Sequence, residues 1–223
     1  MVIGFSLIRN MVIGQVWFGT YAGSGFLKVA VDDDSWNGGP ITMRPAYSLG
    51  FECYQKPESA TGFRMALAYA TQDFEVHYYS GGFGGGTSTD LAVRGRALHL
   101  EAGPRFWIGN QGHLDLALST GGFLWAHALG SIATSSSGAW HSTAYDNADV
   151  RSTFGHIDLR LVGGMGGMVK LDPKWSLTLD GRMSIGLNSW LPDARTRILT
   201  GLLVLGVSRQ LDRKPVKLPP PKA

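Results

Sequence analysis

Cysteine occurs once in this 223-residue chain, at Cys53, which excludes an intrachain disulfide and any cluster of thiolate metal ligands. Charged residues make up only 17 %, against roughly 25 % in ordinary soluble domains. No run of 18 apolar residues exists, because Gly, Ser, Asp or Arg interrupts every candidate, so no helix is apolar enough to cross a membrane. HExxH, GxSxG and P-loop motifs are missing, and the glycine runs at 81–86 and 163–167 lack GxGxxG spacing. No cofactor is therefore expected. The net charge of +3 gives no basic groove, since the last fifteen residues alone carry +4. Nucleic acid is not an expected partner.

What the chain does hold is glycine, 31 residues of it, with 11 % aromatics, a composition suited to strands. No break in composition divides Gln15 to Leu211, which reads as one β-barrel domain. Residues 1–14 are apolar but interrupted by Arg9, and read either as the remnant of a signal segment or as an N-terminal arm. Residues 212–223 form a basic, proline-rich tail that cannot extend a β-ladder.

Alternation carries the fold assignment, because successive side chains of a strand point to opposite faces. Trp175, Leu177, Leu179, Met183, Ile185 and Leu187 alternate with Ser176, Thr178, Asp180, Arg182, Ser184 and Asn188, an order that helical spacing does not generate. The same period runs through 47–55, 63–70, 98–106, 113–119 and 156–161, with a phase slip near Gln72 that predicts a bulge. The segments 16–31 and 197–208 complete eight strands, their register ambiguous. An apolar face backed by a polar one over so many segments predicts a transmembrane β-barrel, with hydrocarbon outside and charges within. Links also alternate: 56–62, 108–112 and 171–174 are short, whereas 32–43, 81–90, 130–152 and 188–194 are longer. In a membrane barrel the short turns are periplasmic and the longer loops external, which places both termini in the periplasm.

Over residues 15–211 this pattern resembles the small outer-membrane barrels of the OmpA/OmpX type. The resemblance rests on segments such as 175–187, on inward charges, and on Trp17, Tyr47, Phe106, Trp107, Trp125, Trp175 and Trp190 as girdle candidates at strand ends. It implies an all-β, eight-stranded, antiparallel up-and-down barrel with a polar, side-chain-filled interior. It also implies location in the bacterial outer membrane, with lipid and lipopolysaccharide as surroundings. The proline-rich end departs from the family, many of whose members finish on a strand-terminal aromatic.

Glu52, Arg64, His99, Glu101, Arg105, Asp115, Asp158, Arg160, Asp180 and Arg182 all fall on polar faces. An eight-stranded barrel is just wide enough to be filled by side chains, so these are expected to pair as an ionic core that plugs the lumen. Metal is not expected, because His99, His113 and His156 show no i, i+2 histidine pairing. Asp32, Asp33, Asp34, Asp146 and Asp149 are candidates for external cations that bridge lipopolysaccharide phosphates. The functional reading is a structural or interaction barrel, reaching envelope proteins through its external loops or its tail. Its competitors are a narrow channel or uptake accessory, an outer-membrane enzyme using His127, Ser131, His141 and Asp146 at the rim, and a soluble lipocalin-like barrel with inverted polarity.

Overall fold

A computed structural model describes residues 15–31, 43–56, 60–82, 85–136, 139–151, 157–188 and 196–211. Among the described residues, ten strands form one antiparallel sheet: β1 (Gln15–Val31), β2 (Arg44–Lys56), β3 (Thr61–Thr71), β4 (Phe74–Gly82), β5 (Gly85–Ile108), β6 (Gly112–Ser136), β7 (Ala139–Asp149), β8 (Asp158–Lys170), β9 (Trp175–Gly186) and β10 (Thr196–Gln210). The sheet closes on itself into one ring. β1 pairs with β10 from Trp17↔Gln210 to Val31↔Thr196, and β5 pairs with β6 from Gly85↔Ser136 to Ile108↔Gly112.

Eight staves make the wall, because two of them are broken. β3 and β4 both pair with β5 in one continuous register, Thr71↔Arg96 and Phe74↔Val93, and are separated only at Gln72 and Asp73. The bulge expected near Gln72 is not there: Gln72 and Phe74 are buried on the face of Arg64, Ala66 and Ala68, so the apparent slip was an apolar side chain turned into the lumen, and the register shift lies instead between β5 and β6 at Arg96 and Ala97. β7 and β8 both pair with β6 and are separated by residues 150–157. The chain is thus an all-β, closed, eight-stranded antiparallel up-and-down barrel. Full closure leaves no unpaired edge around the wall, which is what hydrocarbon demands of a sheet.

Short links gather at the end that also holds Gln15 and Gln210. At Gly109 the backbone turns with φ 62°, a left-handed conformation that glycine adopts without a Cβ penalty. Between β8 and β9 the Asp172 carboxylate accepts hydrogen bonds from the backbone N–H groups of Lys174 (2.6 Å) and Trp175 (2.7 Å), an aspartate-centred turn.

The opposite end departs from the sequence reading in one respect. Residues 81–90 and 130–152, expected as loops, are mostly strand: β4 runs to Gly82, β5 begins at Gly85, β6 runs to Ser136 and β7 occupies 139–149. A tilted strand of about 9–11 residues crosses a bilayer, whereas β5 has 24 and β6 has 25. Their surplus, flanked by β4 and β7, forms a four-stranded sheet that projects beyond the barrel.

The exterior is aliphatic over the common barrel length: Leu49, Phe51, Leu67, Leu100, Leu116, Leu118, Leu161, Met165, Leu179, Met183, Leu203 and Leu205 all face outward. Met183 is 68 % exposed, while its neighbours Asp180 and Arg182 are 2 % and 6 % exposed. A lipocalin-like barrel requires the reverse. Of the girdle candidates, Tyr47, Phe106, Trp125 and Trp175 face outward, whereas Trp17 and Trp107 point into the lumen and Trp190 lies outside the described residues.

Candidate functional site

The lumen has three levels. Near the short-turn end, Trp17, Tyr54, Trp107 and Met168 pack as a cluster, Trp17 stacked on Tyr54 with ring centroids 6.2 Å apart. Near the projecting sheet, Leu27, Val29, Phe74, Leu91, Val93 and Ile198 form a second apolar cluster with Ala46, Ala126, Ala128 and Val150. Between them lie the charges. Alternation alone did not distinguish these apolar lumen residues from lipid-facing ones, because an inward Leu and an outward Leu look alike without the register.

All ten inward candidates project into the lumen, and nine of them are buried, with Glu101 only slightly less so. Glu52 on β2 is the hub: its Oε2 accepts from Arg64 Nε at 2.9 Å and from Arg182 Nη2 at 3.1 Å, and Arg105 Nη2 stands 3.9 Å away. Arg64 also donates to Glu101 at 2.9 Å and lies 3.6 Å from Asp115. Arg105 grips Asp115 with a two-point fork, both bonds 2.7 Å. That geometry matches the planar guanidinium to the carboxylate. Arg182 reaches Asp180 at 2.9 Å.

A second group sits beside it, where Arg160 donates to Asp158 at 2.6 Å and His99 pairs with Gln72 at 2.8 Å, 3.9 Å from Asp158. Aromatic faces complete the cations' shells: Arg105 lies over Tyr54 and Arg182 over Tyr21, each 4.5 Å from the ring centroid. Buried charges are tolerated only when paired in this way.

Glycines shape the network. The interior rungs run His113↔Gly166↔Asp180 and Asp115↔Gly164↔Arg182 across β6, β8 and β9. Because β8 offers no side chain at either rung, groups from β6 and β9 meet over it. A Cβ at Gly166 would stand 2.1 Å from Asp180 Oδ1. His113 is buried there, its Nε2 3.1 Å from Asp180 Oδ1. Sequence reasoning passed over this set by searching for paired histidines, whereas the available signal was the His-x-Asp pair at 113 and 115 on one strand face.

The external candidates are arranged differently. Asp32, Asp33 and Asp34 lie outside the described residues, as do 1–14 and 212–223. Asp146 is exposed, and Asp149 is held by Arg151, whose guanidinium donates to it at 2.6 to 3.1 Å and keeps its carboxyl below the usual carboxylate range. Among the described residues neither belongs to a group of three metal-ligating side chains. The enzyme candidates do not converge either. His127 is level with Asp149 and Thr134 with His141, so the two histidines are separated by seven residues of strand, roughly 23 Å at about 3.3 Å per residue. His127 Nδ1 instead pairs with the Asn147 carbonyl at 2.9 Å.

No family model matches the chain, and no curated protein does. Among solved structures it is similar to Ail, the attachment invasion locus protein of Yersinia pestis, at 14 % identity, covering 89 % of this chain and 99 % of that one, with a TM-score of 0.44. It is also similar to Neisserial surface protein A, at 12 % identity over 87 % and 97 % of the two chains, TM-score 0.42. A major outer membrane protein of Thermus thermophilus gives 13 % identity over 88 % and 99 %, TM-score 0.44. The closed sheet, aliphatic exterior and ion-bearing interior identify the architecture by themselves: this chain is an eight-stranded transmembrane β-barrel of the outer-membrane type.

Proposed function

We propose that the chain is an integral protein of the bacterial outer membrane with a plugged lumen, whose work is done by its surfaces. The filled interior is the observation that carries this reading: a paired ionic layer lies between two apolar clusters, and water-filled conduits are not lined by stacked tryptophan and leucine. In this reading the short-turn end and both termini are periplasmic. The projecting sheet built from β4, β7 and the far halves of β5 and β6 then stands outside the cell, available to lipopolysaccharide or another envelope protein.

Two experiments test it. Purified protein in a planar bilayer is expected to give no steady, ion-selective openings, and such openings would favour the narrow-channel reading. For orientation, Thr134→Cys in a Cys53→Ser background is expected to label with a membrane-impermeant maleimide on intact cells. Labelling only after the outer membrane is breached would reverse the assignment.

A further inference from the structure

From the lumen geometry we infer that His113, Asp115 and Asp180 form a binding site for a single first-row divalent cation of the zinc class. One ligand atom from each lies within 4.8 Å of the others, and all three residues are buried. Zinc bonds of about 2.0–2.2 Å put tetrahedral ligands roughly 3.3–3.6 Å apart. His113 Nε2 and Asp180 Oδ1 already stand 3.1 Å apart.

Independent of the grouping, His113 Nδ1 is buried without a hydrogen-bond partner, while His113 Nε2 and Asp180 Oδ1 face each other at 3.1 Å. Neither ring nitrogen of His113 has an aligned hydrogen-bond partner, nor does Asp180 Oδ1, although His113 is only 2 % exposed. Buried polar atoms are rarely left in this condition. The bare backbone of Gly166 lets Asp180 Oδ1 lie where a Cβ would otherwise stand, and so lets it reach His113 across β8.

Arg105 and Arg182 flank the site and oppose a cation, so charge decides the matter. The lumen candidates comprise five carboxylates (Glu52, Glu101, Asp115, Asp158, Asp180) and four guanidiniums (Arg64, Arg105, Arg160, Arg182), one negative charge more than the arginines balance. Such a charge is costly in a closed interior, and a bound cation offsets it. The arginine fork does not exhaust Asp115, since an ionised carboxylate offers about four lone-pair sites. Imidazole and carboxylate together suit zinc over the alkaline-earth ions. With three protein ligands the fourth position is open to water.

Protein folded in detergent, stripped with chelator, loaded with Zn²⁺ and desalted is expected to retain one zinc per chain by elemental analysis. His113→Ala and Asp180→Asn should each lower retention at least tenfold, and His141→Ala on the projecting sheet should leave it unchanged. Heat-dependent gel migration reports folding of each variant. Should a variant not fold, Co²⁺ in the unaltered protein decides, an intense visible band of a four- or five-coordinate ion being expected. Absence of retained zinc and of that band, or equal zinc in wild type and a folded His113→Ala, overturns the site. A chain that conducts yet keeps its zinc would lose the plug and retain the site.

Discussion

Glu52 serves three arginines at once, and its removal therefore acts through what it leaves behind. Glu52→Gln keeps the shape and strands Arg64 and Arg182 as partly compensated buried cations. Loss of one member of a buried ion pair costs about 3–5 kcal/mol, so the unfolding midpoint in urea should fall sharply while the detergent-bound fold survives. The neighbouring glycines give a paired test. Gly166→Ala drives a Cβ into Asp180 and should destabilise by about 1–3 kcal/mol. Gly163→Ala meets nothing within 4 Å and should be close to neutral. Beyond the membrane, Arg151 depresses the Asp149 carboxyl. A depressed carboxylate contributes stability above its unfolded pKa, and that contribution disappears as pH falls through the folded one. A carboxyl titration by NMR should therefore place Asp149 below the ordinary carboxylate range, and Arg151→Ala should return it.

Strands were legible in register where one face meets hydrocarbon and the other carries polar groups, and less so in β1 and β10, whose inward Leu27, Val29, Ile198 and Val204 are apolar too. Residues 175–187 show the period without interruption and form β9 almost residue for residue. The far half of β6 and all of β7 were read as loop because Ser131, Thr134, Ser135 and Ser142 serve a sheet standing in water, where no face must be apolar. Hydrogen exchange separates the two descriptions: amides of 131–135 should exchange far more slowly than unstructured peptide, and loop-like rates would refute the projecting sheet. The candidate site was half legible for a related reason. Period-two counting puts Asp115 and Asp180 inside, but their meeting over Gly164 and Gly166 depends on a register across three strands, with 64 residues of chain between them, which no local pattern encodes.

At the scale of the molecule, the chain forms a cylinder ionic at its axis and oily on its rim. The methionines sample both sides without any substitution: Met165 and Met183 are 65 % and 68 % exposed on the rim, while Met168 is 1 % exposed within the aromatic cluster of the lumen. Methyl-labelled methionine NMR in lipid nanodiscs, with a spin label on the acyl chains, tests the claim directly. The Met165 and Met183 methyl signals should broaden strongly and Met168 should be spared. Equal broadening of all three, or a broadened Met168 beside sharp Met165 and Met183, would contradict the barrel described here.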